Sequence, residues 1–305
     1  MHVAVVGAGA LGSVYGVALA TRTDATVTFV VRAARVEETS AIIVERVKRD
    51  ARDAIETPRR ARSVPASADV IVLAVGTDDL DGLARTLGDS PAPIVVLTPM
   101  MPGDLTRMQA AFGSRVHAAM PAVVAYTRND GVVRYWLPPV ATRIDEPRAG
   151  RAGDCVRALA RLLSSAGLRT QLAIGVGRTN PATTACFIPL AMALAVAGSL
   201  ENLTRDRELM VLAARACAEG LAWARTHAMP DPELAIAPLL AMPWILPGMV
   251  ALGSRLSAEG AFYAEEHFAR KLDAQHRVMS RDLATLARES GLPHAALDAL
   301  AARLA

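Results

Sequence analysis

Lysine is nearly missing: of 33 basic residues in the 305-residue chain, only Lys48 and Lys271 are lysines, and arginine supplies the rest. Any chemistry that needs an ammonium group therefore has two places to find one. Aromatic residues make up only 4% and the net charge is a mild +3. With the arginines scattered and few stacking platforms, a nucleic-acid surface is not indicated. Cysteine is limited to Cys155, Cys186 and Cys217, an odd and widely spaced set in apolar helical sequence. No C-x-x-C or other metal spacing occurs, so neither a disulfide framework nor a metal site is expected. Buried free thiols in a reducing cytoplasm are the simplest reading. The N-terminus lacks a basic n-region, so a signal peptide is not expected. The longest apolar run, Ala185–Leu200, is short for a membrane span and carries Pro189, so it reads as a buried core helix with no membrane partner. No Ser/His/Asp spacing stands out.

What is there is a folded globular composition, 52% hydrophobic and 21% charged, at a length that favours two domains. The first half alternates strand and helix patterns. His2–Val6, Ala25–Val31, Asp69–Val75 and Pro93–Thr98 read as buried parallel strands. Helices are expected over Ala10–Ala20, Asp79–Leu87 and Asp104–Phe112. Val116–Tyr126 and Val132–Leu137 flank Asn129-Asp130-Gly131, a hairpin turn. Arg151–Ala166 reads as a helix ended by Gly167, and Arg169–Ile174 as a strand. From Pro181 onward strand patterns stop. Helices are expected over Ala182–Leu203, Arg205–His227, Pro232–Ala241, Ala261–Ser290 and His294–Ala305. The chain thus reads as α/β: a doubly wound (Rossmann) sheet with extra antiparallel strands at its later edge, over residues 1–175. An all-helical domain follows over residues 176–305.

The first strand runs into Gly7-Ala8-Gly9-Ala10-Leu11-Gly12, a G-x-G-x-x-G opening a helix. Gly7 allows the sharp turn, Gly9 leaves room for a pyrophosphate, and Gly12 lets helix and strand pack closely. The N–H groups at the helix start would then face phosphates. A plain strand–helix turn is the competing reading. NAD-preferring sites place an acid at the end of the second strand, whereas this strand ends Val31-Arg32-Ala33-Ala34-Arg35. Arg32 is placed for a 2′-phosphate, with Arg35 able to add to it, so NADP is favoured over NAD.

GAGALGSVYG, the Val-Val-Arg ending of the second strand, ADVIVLAV and the helical second half together resemble the ketopantoate reductase family, over essentially the whole chain. The resemblance implies an NADPH-dependent oxidoreductase that reduces the carbonyl of a 2-oxo acid or another small carbonyl compound. It implies cofactor contacts at Gly7, Ala8, Gly9, Ala10, Leu11, Gly12, Arg32 and Gly76. Anchoring TNPATTACFIPLAMA on Pro189-Leu190 sets Asn180 at the family's catalytic lysine, Thr184 at its first asparagine and Ile188 at its second. Gly76 stands where the family has a lysine, and Pro99-Met100 where it has Asn-Gly. Gln275 falls near the family's glutamate. Lys271, on the face of a polar helix shared with His267, is the alternative acid; a solvated helix face is the plainer reading of that stretch. His117 either meets the cofactor or is a core histidine, and Tyr263 is a further hydroxyl. Family enzymes pair, which makes Leu239–Leu252 a candidate homodimer interface. A cofactor-binding sensor or partner protein without turnover is the alternative function.

Overall fold

A strand whose residues alternate between two buried faces needs helices on both, and β1 (His2–Val6) is such a strand. Its Val3 and Val5 enter one core while Ala4 and Val6 enter another. The computed structural model describes residues 1–47, 51–76, 80–98, 101–228 and 237–304. Side chains are given for these except 80–81, 102, 180–182, 186, 254–256 and 267–268. The chain divides into two units, Met1–Gly177 and Arg178–Ala305.

In the first unit β1 leads into α1 (Ala10–Arg22), β2 (Thr26–Val30), β3 (Ile42–Arg46), β4 (Ala51–Ile55), β5 (Arg60–Ala61) and β6 (Val70–Leu73). There follow α2 (Leu80–Leu87), β7 (Ile94–Val96), α3 (Pro102–Phe112), β8 (Val116–Met120), β9 (Val124–Thr127), β10 (Val133–Trp136), β11 (Thr142–Asp145), α4 (Arg151–Ser165) and β12 (Thr170–Ala173). The main sheet has eight strands in the order β12-β11-β8-β7-β6-β1-β2-β5. β8 through β5 run parallel, and β11 is antiparallel to β8. β1 lies between β2 and β6, so successive crossovers leave it in opposite directions. That is the switch point at which doubly wound sheets bind ligands. α1 and α4 cover one face, through Val14, Leu19, Val156 and Leu159. Leu83, Leu87 and Met108 of α2 and α3 cover the other.

The hairpin does not extend the main sheet, contrary to the sequence reading. β9 and β10 join β3 and β4 in a separate four-stranded sheet, order β4-β3-β10-β9. The run expected as one strand over Val116–Tyr126 breaks after Met120. β8 stays in the main sheet, while Ala125, Val133 and Tyr135 bury in the core shared with α1. α1 is thus buried by both sheets, which is why it is apolar on every side. Tyr15 of α1 ties the layers together. Its buried hydroxyl lies 2.5 Å from Thr142 Oγ1, which also accepts the Ala122 N–H at 3.1 Å. Burial pushes the Tyr15 phenol well above its ordinary value. We expect Tyr15→Phe to cost about 1–2 kcal/mol, because Thr142 loses a buried partner. Denaturant unfolding of the two proteins measures this, and equal midpoints would show the bond contributes nothing.

The second unit is helical: α5 (Val176–Ala197, which starts at the end of the first unit), α6 (Leu200–Arg205), α7 (Arg207–His227), α8 (Ala237–Leu240), α9 (Leu246–Leu256), α10 (Ala258–Phe262), α11 (Asp273–Glu289) and α12 (Ala295–Ala302). The single helix expected over Ala182–Leu203 starts earlier and breaks at Gly198, whose φ of +76° lies in the left-handed region. Ser199 then caps α6 by accepting the Asn202 N–H. The helix expected over Ala261–Ser290 also divides. Tyr263–Lys271 is π-helical and α11 starts after it. Residues 229–236, in which the helix from Pro232 was expected to begin, lie outside the described residues. Gly220 lets α7 meet α5, since a Cβ there would stand 2.5 Å from the Ala185 carbonyl oxygen. Among the described residues α5 is the one helix long and apolar enough to cross a membrane, and 57% of its apolar window is buried in the fold. Of the cysteines, Cys217 is buried as expected but Cys155 is half-exposed, because it lies on the flank of α4. The side chain of Cys186 lies outside the described residues.

Candidate functional site

The glycine-rich turn is shaped by clashes that any side chain would cause. Gly7 has φ +98°, and a Cβ on it would lie 2.4 Å from Val75 Cγ1. Its N–H donates to the Val30 carbonyl at 3.0 Å, tying the turn to the end of β2. A Cβ on Gly12 would lie 2.0 Å from the Gly7 carbonyl oxygen, so only glycine lets α1 begin so close to β1. A turn further along α1, Gly16 keeps the helix close to β2 in the same way, since a Cβ there would meet the Phe29 ring at 2.5 Å. Gly9 is different: a Cβ there meets nothing within 4 Å. It is exposed, caps α1 in extended conformation, and leaves its open side to a ligand.

No side chain caps α1 and its first turn holds no acid. The first bond of the helix runs from the Ser13 N–H to the Gly9 carbonyl at 2.9 Å. The N–H groups of Ala10, Leu11 and Gly12 therefore precede the ladder and, with the helix dipole, favour an anion beside Gly9. Ala10 itself is buried, while Ala8 and Leu11 are half-buried. The residues fit a dinucleotide pyrophosphate on this side of the turn.

Arg32 sits exposed just past β2, at the entry to a short 3-10 turn, Ala33–Arg35. Among the described residues no carboxylate pairs with it. Arg35, expected as its helper, is taken up by Glu38, whose carboxylate oxygens lie 3.0 and 3.1 Å from its Nε. The Arg35 guanidinium holds the Glu38 carboxyl below its ordinary range. Arg60 was not foreseen. Its guanidinium donates to the carbonyls of Glu38 and Ser40 and so fixes the loop that follows Arg32. The contact spans some twenty residues, and no local pattern announces it. Beyond β6, Thr98 Oγ1 donates to the Val75 carbonyl at 2.6 Å, holding the segment that leads to half-buried Gly76. Pro99 and Met100 lie outside the described residues.

The residues expected to do chemistry are spread over the helical elements. Asn180 lies in the second turn of α5, and its side chain is outside the described set. Thr184 and Ile188 are on α5 and buried, 5% and 3% exposed. Lys271 is exposed at the end of the π-helical segment. The polar stretch around it is largely engaged in structure. Glu265 accepts the Leu200 N–H at 2.7 Å, Glu266 pairs with Arg270, and Asp273 pairs with Arg277. The side chain of His267 lies outside the described residues. Gln275 is half-buried on α11, its amide 3.7 Å from Met279 Sδ. Burial pushes the Tyr263 phenol up to about 12, so it stays protonated near neutral pH.

His117 is half-buried on β8, and burial lowers its pKa against an opposing pull from Asp145 on β11. Burial raises the pKa of Asp145, which accepts the Val176 N–H at 2.7 Å and so caps the start of α5. His117 faces this structural carboxylate. No group of three or more potential metal ligands occurs among the described residues.

Residues 3–142 match the family model described as ketopantoate reductase PanE/ApbA. No curated protein matches the chain in sequence. Among solved structures, 2-dehydropantoate 2-reductase from Geobacter metallireducens GS-15 superposes with a TM-score of 0.71 at 17% identity, covering 100% of this chain and 99% of its own. A D-mandelate dehydrogenase solved with NADH and anilino(oxo)acetate gives 0.71 at 15% identity, covering 99% and 96%. A dimeric ketopantoate reductase from Staphylococcus aureus gives 0.68 at 14%, covering 99% and 96%. At these identities the structures establish the fold, an N-terminal Rossmann-like unit followed by a helical one. The likeness to the ketopantoate reductase PanE/ApbA family thus covers residues 3–142, and the likeness of fold runs through the whole chain.

Proposed function

We propose that the chain is an NADPH-dependent oxidoreductase that reduces the carbonyl of a 2-oxo acid or a related small carbonyl compound. The observation that carries this reading is the turn after β1, closed to side chains at Gly7 and Gly12 and open at Gly9. NADPH would supply the hydride. The chain's own role is to hold the pyrophosphate on the N–H groups of Ala10, Leu11 and Gly12, and the 2′-phosphate on Arg32. Asn180, which the resemblance sets at the family's lysine, would hydrogen-bond a substrate oxygen, and Thr184 is buried on the same helix. A 2-dehydropantoate 2-reductase and a D-mandelate dehydrogenase with the same fold support the substrate class. The second of these was solved with NADH, so the choice of NADPH rests on Arg32 and the missing acid after β2. Within this reading the enzyme is cytoplasmic and a homodimer. Trp244 and Leu252, 77% and 58% exposed within Leu239–Leu252, supply the apolar surface such an interface needs.

Calorimetric titration tests the cofactor. Arg32→Ala should weaken NADPH by about tenfold to a hundredfold, the worth of one hydrogen bond to a charged group, and leave NADH nearly unchanged. Equal affinities of the wild type for the two cofactors would overturn the assignment. A second reading, a cofactor-binding sensor or partner protein without turnover, draws on one observation. The family's lysine position holds Asn180, and the lysine nearest in sequence, Lys271, is exposed.

A further inference from the structure

β3 breaks its own pattern at its last residue. Ile42 and Val44 bury in the core, and strand periodicity turns Arg46 to the same face. An apolar side chain would continue that core. Instead a half-buried guanidinium lines a cavity of about 270 Å³ in the first unit, away from the glycine-rich turn. Arg169, at the entry to β12, lines the same cavity. The remaining wall is mostly apolar, formed by Leu137, Pro139, Val140 and Leu168.

The charge is unbalanced. Arg22, Arg134, Arg157 and Arg277 all have carboxylate partners. Among the described residues Arg46 and Arg169 have none. Arg46 is the half-buried one of the two, Arg169 being exposed, and a half-buried cation beside apolar surface is costly unless an anion joins it. The Thr142 hydroxyl, also on the wall, is committed to Tyr15 and the Ala122 N–H, so it does not compete. The volume is at the small end for ligand sites, enough for a head group and a short chain and too small for a dinucleotide.

We propose that this cavity binds a small organic acid, its carboxylate on the Arg46 and Arg169 guanidinium groups and its short apolar body against Leu137, Pro139, Val140 and Leu168. The site is independent of the oxidoreductase reading. An inorganic anion would leave the apolar wall wet, and a neutral alcohol would leave the cations unpaired.

The test is calorimetry of the full chain with hexanoate, acetate and hexan-1-ol. Hexanoate should bind saturably, with acetate and hexan-1-ol each at least about tenfold weaker. Arg46→Gln and Arg169→Gln should each weaken hexanoate about tenfold or more, as the loss of a charged hydrogen bond requires. Both substitutions are at half-buried or exposed positions, and unchanged thermal unfolding would show that the fold is kept. Gly9→Val, which disables the proposed pyrophosphate site, should leave hexanoate binding intact. Absence of saturable binding, or full affinity in both arginine variants, would overturn the proposal. So would loss of hexanoate binding in Gly9→Val, since that would place the acid at the dinucleotide site.

Discussion

Gly9→Val should abolish binding of NADPH and NADH alike while leaving the chain folded. Gly9 has φ −81° and ψ −171°, an extended conformation open to any L residue, and a Cβ there meets no atom within 4 Å. The new isopropyl group would therefore point into the space beside the free N–H groups of α1. Two charge-assisted hydrogen bonds to a pyrophosphate, each worth about 1.5–3 kcal/mol, would be displaced. Affinity should fall by at least about a hundredfold. The stability cost is confined to a poorer helix cap, about 1 kcal/mol or less. Gly12→Ala is the contrasting case. Its single methyl would stand 2.0 Å from the Gly7 carbonyl oxygen, so α1 must shift from β1 and the unit itself should lose stability. Normal cofactor binding by Gly9→Val would place the phosphates elsewhere.

That contrast also shows why this region of the molecule is legible from sequence. A positive φ and a backbone approach closer than a methyl group restrict the residue type at single positions, and the restriction is local. The parallel strands are legible for a similar reason, since Val70–Leu73 and Ile94–Val96 are buried on both faces. The second sheet is not. Ile42–Arg46 and Ala51–Ile55 carry so much charge that they do not read as core strands, and they bury against an α1 distant in sequence. Gly198 does not stand out as a break because an apolar run leads into it and Leu200 and Leu203 keep a helical spacing beyond it. The π-helical segment keeps a helical spacing of charges, so its i→i+5 bonding leaves little trace in composition. The catalytic assignments are harder still. They depend on which side chains from remote helices meet, and only backbone-level constraints can be read along one stretch of chain.

The wild-type chain should be a poor ketopantoate reductase. Hydride addition to a ketone builds negative charge on the carbonyl oxygen, and a positioned acid accelerates that step by typically ~10²–10⁴-fold. The family places a lysine there. Anchoring α5 on Pro189-Leu190 puts Asn180 in its place, and an amide can hydrogen-bond the oxygen but cannot give it a proton. NADPH oxidation with ketopantoate should therefore run at least about a hundredfold slower than in a lysine-bearing relative. Asn180→Lys asks whether the rest of the site is competent. Its position in the second turn of α5 accepts a lysine without helix penalty. A rise of about tenfold or more in kcat, with KM little changed, would show that only the acid was missing. If the wild type already turns over ketopantoate efficiently, the anchoring on Pro189-Leu190 is wrong and a different group donates the proton. If Asn180→Lys binds NADPH as tightly as the wild type yet reduces neither ketopantoate nor other 2-oxo acids, binding without turnover becomes the better account of the chain.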